Sequence, residues 1–256
     1  MSPSEDLNVE FQRYDREGLT TIQQALIEEQ PVTLSVNGME WLTFACTPEN
    51  LEALAFGFLY NEGIIKGIHE IEHVKTCADG SGVDIWLAHA AERPPHWQRT
   101  SGCTGGVSAP LPAGLHPLKD DWRADPQSLL DGMAALYKVE GLYQEHRGLH
   151  CSALFDGERI RFHAADIGRH NTLDKLAGLW LRAREQLATP ILLTTGRISS
   201  EMLHKAARMG CPVIVSRTTP TRLAVQAARS LRVTLIGYAR RDSFVIYTHP
   251  QRIRVD

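Results

Sequence analysis

No stretch of this chain approaches the roughly 20 consecutive apolar residues that span a bilayer, so a membrane-spanning helix is not expected. Charge of one sign is missing as well. The 27 Lys and Arg stand against 30 Asp and Glu, a net charge of −3, which argues against a broad nucleic-acid-binding surface. The five cysteines, at 46, 77, 103, 151 and 211, form no CxxC and cannot all pair with one another. With no apolar signal core after Met1, the expectation is a reduced, cytoplasmic chain. Internal repeats and low-complexity segments are absent too. What remains is an ordinary globular composition, 43% hydrophobic and 22% charged, in 256 residues that suit one sizeable or two small domains.

Two styles of sequence follow one another. Residues 1–15 are polar and are expected to form a loose tail. Residues 31–36 and 40–45 read as strands flanking Asn37-Gly38, a strong type I′ turn signal. Thr47 before Pro48 reads as a helix N-cap, with a helix through Leu51, Leu54, Ala55, Phe58 and Leu59 stopping near Gly63. Residues 74–77 and 83–87 are candidate strands, and residues 94–117 a long loop of Pro, Gly and His. From Asp125-Pro126 onward the pattern is more regular. A helix to about Val139 is followed by a hairpin around Asp156-Gly157 and a helix over residues 171–187. Strands at 191–195, 213–216 and 233–239 then alternate with helices at 200–209 and 220–231, the second capped by Thr219-Pro220, and residues 244–248 give a last strand. A β-α-β-α-β order implies parallel pairing with right-handed crossovers. The division expected is a β-rich portion over 1–120 and an α/β core over 121–256.

In a parallel α/β sheet, ligands bind beyond the carboxyl ends of the strands, where helix N-termini offer free N–H groups. Three segments fall there: Thr194-Thr-Gly-Arg-Ile-Ser199, Ser216-Arg-Thr-Thr-Pro220 and Tyr238-Ala-Arg-Arg-Asp-Ser243. Each carries arginine beside small or hydroxylated residues, which suits an anionic, phosphate-bearing ligand. The alternative is solvated loop charge.

Cys103 is the chemically loaded cysteine. It sits in Arg99-Thr-Ser-Gly-Cys-Thr-Gly-Gly-Val107, where glycines at 102, 105 and 106 leave the thiol reachable. A reactive thiol needs such access, whereas a structural one lies in an apolar run. An ordinary loop cysteine is the competing reading. The other four cysteines lie in or beside strand-like runs and read as small buried hydrophobes.

His69-Glu-Ile-Glu-His73 matches the HExxH pattern of zinc peptidases, which needs both histidines on one helix. It leads directly into strand-like sequence and no third ligand stands out, so no metal is expected. His146 and His150 share the i, i+4 spacing, but Gly148 and the following strand disfavour a helix. Arg169 and His170 precede a helix and read as a polar cap, a ligand-facing role being the alternative.

Several pieces together resemble one family. They are Gly57-Phe-x-x-x-Glu62-Gly-Ile-Ile65, the Cys103 loop, and Asp166-Ile-Gly-Arg-His170 followed by Leu173-Asp-Lys-Leu176. Gly196-Arg197 with Ser200-Glu-Met202, Thr221-x-Leu-Ala-Val225 and Tyr247-Thr-His-Pro-Gln-Arg252 complete the series. In order and at consistent spacing, they are similar to the FdhD family of formate dehydrogenase accessory sulfurtransferases, from about Pro31 to Arg252. The resemblance implies a cytoplasmic homodimer with a cytidine-deaminase-like α/β/α core behind an N-terminal β-rich portion. It implies that Cys103 is the catalytic cysteine, accepting sulfane sulfur from a cysteine desulfurase as a persulfide. That sulfur passes to the bis-molybdopterin guanine dinucleotide cofactor of formate dehydrogenase, here a substrate. The family's guanine-dinucleotide contact segment falls on Tyr238, Ala239, Arg240, Arg241, Asp242 and Ser243, the loop reached above from the sheet argument. Many members carry a CxxC where this chain has Cys103 and Gly106, and a basic residue where it has Ser243. A relay needs only one thiolate. The runner-up expectation is a non-catalytic chaperone that binds the same cofactor. The zinc-site pattern of true deaminases is absent from the sequence, so deamination is not expected.

Overall fold

The structure is a computed structural model and describes residues 8–93, 114–119, 122–139 and 148–254. Strands β1 (Asn8–Asp15) and β2 (Gly18–Ala25) pair as an antiparallel ribbon. Residues 8–15 are therefore not a loose tail. Gly18, at φ 121, makes the turn, and Asp15 Oδ1 accepts the amide of Glu17 at 2.9 Å. Val9 and Phe11 alternate with polar residues in β1, and β2 holds the β-forming run Thr20-Thr21-Ile22, a pattern that the overall polarity hides.

A four-stranded sheet comes next. β3 (Gln30–Val36) and β4 (Met39–Cys46) form the expected hairpin, with Asn37 at φ 51 and Gly38 at φ 80 as the I′ turn requires. β5 (Ile71–Thr76) and β6 (Gly82–Leu87) complete it in the order β4-β3-β6-β5, with β3 and β6 parallel. The inward residues Val32, Leu34, Val36, Trp41, Val83 and Ile85 pack against helix α1 (Leu51–Asn61).

That helix does not begin as Thr47-Pro48 suggests. Its N-cap is Asn50, left-handed at φ 54 and making no side-chain cap bond, because the Thr47 hydroxyl is held by partners far along the chain. Its end is as expected, Gly63 turning the chain at φ 76.

The larger sheet has six strands: β7 (His150–Phe155), β8 (Ile160–Asp166), β9 (Ile191–Thr194), β10 (Val213–Ser216), β11 (Thr234–Gly237) and β12 (Val245–Ile246). Their order is β12-β11-β10-β9-β7-β8, with β9, β10 and β11 parallel and the rest antiparallel to their neighbours. The three parallel strands are buried on both faces. Leu192, Ile214 and Leu235 meet helices α3 (Arg169–Ala183), α4 (Ser200–Arg208) and α5 (Arg222–Leu231). On the opposite face Leu193, Val213, Val215 and Ile236 meet α2 (Pro126–Lys138) through Leu129, Met133 and others. This is the α/β/α layering anticipated from the sequence. Asp125 caps α2 by accepting the Ser128 amide at 2.7 Å, whereas α5 is capped by Thr221 rather than by Thr219.

Helices α1 and α3 join the two sheets by crossing at glycines. A Cβ on Gly57 would collide with the carbonyl of Asp174, and one on Gly178 with the carbonyl of Ala53. The backbones touch there, which only glycine permits.

Candidate functional site at the carboxyl edge of the large sheet

The loops leaving β9, β10 and β11 lie side by side and are laced together by their own polar groups. Ser216 Oγ donates to the carbonyl of Gly196 at 2.7 Å and accepts the amide of Thr218 at 3.0 Å. The amide of Tyr238 donates to Thr218 O at 2.9 Å and that of Ala239 to Ser216 O at 3.0 Å. Gly237 is required by this contact, since a Cβ there would sit 2.7 Å from Thr218 O. Ser216 and Thr218 thus hold the neighbouring loops in place.

The six residues singled out after β11 divide by exposure. Ala239 is buried and anchors the loop, while Tyr238, Arg240, Arg241, Asp242 and Ser243 face outward. Tyr238 is left-handed at φ 51, and the amide of Arg240 closes the turn onto Ser243 O at 2.8 Å. Arg217, from the neighbouring loop, lays its guanidinium 5.4 Å above the ring of Tyr137 on α2. Burial raises the Tyr137 hydroxyl above its ordinary range, opposed by Arg217 and Arg240. Sequence reasoning had no route to Tyr137, which reads as one more residue of an amphipathic helix.

At the other end of the edge, β8 delivers Asp166 and α3 begins. Asp166 and Lys175 form an ion pair at 2.7 Å with both side chains fully buried. Asp166 Oδ1 accepts the amide of Gly168 at 2.8 Å and the Nδ2 of Asn171 at 2.9 Å. Its Oδ2 accepts the amide and hydroxyl of Thr47 at 3.2 and 3.1 Å. Lys175 Nζ donates to the carbonyl and hydroxyl oxygens of Thr47 at 3.0 and 2.7 Å. Much of the Asp166-Ile-Gly-Arg-His170 motif is therefore a brace that ties the end of β4 to the large sheet. Arg169 and His170 stand one step beyond it. His170 Nε2 lies 3.1 Å from Ser199 Oγ and 3.2 Å from Glu201 Oε2. Burial, then Lys205, Arg169 and His150, push its pKa down to about 3, so the ring is neutral and its contacts are ordinary hydrogen bonds.

Cys103 lies outside the described residues. Cys46, Cys151 and Cys211 are buried, and Cys77 is half-buried beside β5. Burial, with Asp166 adding to it, pushes the Cys46 thiol up to about 12, which leaves it inert as a nucleophile. His69 lies in a 3-10 turn and His73 on β5, so the HExxH spelling is not on a helix. Among the described residues no group of three or more His, Cys, Asp or Glu is placed to hold a metal ion. No helix among them is long and apolar enough to cross a membrane.

The model of the FdhD/NarQ family matches residues 27–254. The sulfur carrier protein FdhD of Bacillus subtilis is 35% identical over 250 residues, covering 94% of this chain and 95% of its own. That of Staphylococcus haemolyticus is 35% identical over 254 residues, covering 94% of each. The crystal structure of a proposed formate dehydrogenase accessory protein from Desulfotalea psychrophila superposes with a TM-score of 0.82 at 24% identity. It covers 97% of this chain and 100% of the other, a likeness of fold.

Proposed function

The chain belongs to the FdhD/NarQ family, and from that premise we propose that it is a sulfur carrier in the maturation of formate dehydrogenase. The observation that carries this reading is the match over residues 27–254 to a family whose curated members are named sulfur carriers. Within that span, Cys103 is the cysteine set among glycines. Cys46, Cys151 and Cys211 are buried, which leaves them poor candidates for exchange with a partner.

The loading step needs one thiolate. Cys103 attacks the outer sulfur of a cysteine persulfide on a desulfurase, the donor S–S bond breaks, and the donor cysteine leaves as its thiolate. Cys103 then holds the sulfane sulfur as a persulfide. The acceptor in this reading is the bis-molybdopterin guanine dinucleotide cofactor, bound at the carboxyl edge of the large sheet as a substrate. Asp242 accepts the two adjacent N–H donors of a guanine edge, and Arg240 and Arg241 take phosphate oxygens. The outward placement of these side chains supports the assignment. The protein works in the cytoplasm as a homodimer, with a cysteine desulfurase and formate dehydrogenase as partners. Incubation with cysteine and a desulfurase, followed by mass spectrometry, tests the sulfur chemistry. An unmodified Cys103 in a protein that still supports formate dehydrogenase would favour a cofactor chaperone instead.

A further inference from the structure

The same sheet edge carries a second group of side chains that the guanine contact does not use. Arg169 opens α3, and Arg197 is the exposed residue in the otherwise buried turn after β9. Gly196 leaves the space in which Arg169 packs: a Cβ there would lie 3.0 Å from Arg169 Cβ and 3.6 Å from both Arg169 Cδ and His150 Nδ1. Arg169, Gly196 and His150 therefore meet at one point, although they lie on three separate segments.

The charges around that point do not balance internally. The Nε of Arg169 is buried and has no hydrogen-bond partner among the described residues. Burial and then the charge of Arg197 pull the Arg169 guanidinium below its ordinary range, with Glu201 opposing them. Of the carboxylates nearby, Asp166 is paired with Lys175, which leaves Glu201, 3.2 Å from the neutral His170, as one carboxylate against two guanidinium groups. His150 is pushed down by burial and by Arg169, and stays neutral. The N-terminus of α3 adds its positive end without a side-chain cap. A buried guanidinium donor calls for an acceptor, and paired guanidinium groups suit the several oxygens of a phosphate.

We propose that Arg169 and Arg197, with His150 beside them, form an oxyanion subsite that takes a phosphate group of a nucleotide-class ligand. This rests on the proposed nucleotide site for its natural occupant. Arg197 follows β9 and the Tyr238 loop follows β11, with β10 between them, so the two subsites lie about 10 Å apart along the edge. A ligand with a base on the loop and phosphates running across β10 would reach both.

The test is calorimetric titration with inorganic pyrophosphate, guanosine, guanosine diphosphate and adenosine diphosphate. The proteins are wild type, Arg169→Gln and Arg197→Gln, each checked by thermal melting. The expected result is at least tenfold weaker pyrophosphate and guanosine diphosphate binding in both variants, with guanosine binding unchanged. Arg197 is exposed, so its variant keeps the test open if Arg169→Gln fails to fold. Pyrophosphate binding at wild-type strength in folded Arg197→Gln, or none in the wild type, overturns the subsite. Loss of pyrophosphate binding in Arg197→Gln without a guanine preference in the wild type supports the subsite and counts only against the guanine reading.

Discussion

Replacing Lys175 with Met keeps the aliphatic stem in a fully buried site and removes only the ammonium. The loss is the 2.7 Å pair with Asp166, the bonds to Thr47 O and Oγ1 at 3.0 and 2.7 Å, and a longer one to Ala165 O at 3.4 Å. The carboxylate of Asp166 is left with no cation, in a site where its side chain is 0% exposed. Breaking a buried pair from one side costs about 3–5 kcal/mol, because the remaining charge is uncompensated. In a chain this size that corresponds to a fall in melting temperature of roughly 6–20 °C. Urea unfolding with a shared m-value measures it directly. Adding Asp166→Asn removes the stranded charge, so the double variant should lose at least about 1 kcal/mol less than the sum of the two single losses. A single-variant loss below about 1 kcal/mol, or strict additivity, would refute the claim that this brace holds β4 against the large sheet.

Other consequences are as direct. Gly178→Ala places a methyl group against the carbonyl of Ala53 and should cost about 1–3 kcal/mol or more in the same assay, a wild-type midpoint contradicting the close helix crossing. His170 is depressed to about 3 in the folded chain against an ordinary 6.5, so the unfolded state binds its proton first as pH falls. Its contribution is fully present above pH 6.5, is lost down to about pH 3, and should be flattened by His170→Asn in pH-dependent denaturation. Guanosine diphosphate should bind better than adenosine diphosphate, and Asp242→Ala should erode that preference. Equal affinities in wild-type calorimetry would remove the guanine assignment.

Local signals carried much of this fold. Asn37-Gly38, Asp125-Pro126 and the alternation from Ile191 onward depend on neighbours in sequence, and the elements they predict are present, although α5 starts at Arg222 and the last strand shortens to Val245–Ile246. The misreadings arose where a distant partner competed. Thr47 has the right spelling for a cap, yet its hydroxyl serves Asp166 and Lys175, more than a hundred residues away. The ribbon over residues 8–25 pairs strands whose polar faces mask their alternation. At the site, the arginine-bearing loops were legible because the β-α-β order places them on one edge. The meetings of Tyr137 with Arg217, and of His150 with Arg169 and Gly196, were not, since they join residues from different layers and strands.

The central claim is that Cys103 carries sulfur. Incubating the chain with cysteine and a cysteine desulfurase, then mapping peptides by mass without reductant, tests it most directly. The account predicts a gain of about 32 Da, one sulfur, on the peptide bearing Cys103. The gain should vanish in a Cys103→Ala variant that melts like the wild type and no longer supports formate dehydrogenase. Added sulfur on Cys77 or Cys151 with Cys103 unmodified, or full support of formate dehydrogenase by Cys103→Ala, would contradict it.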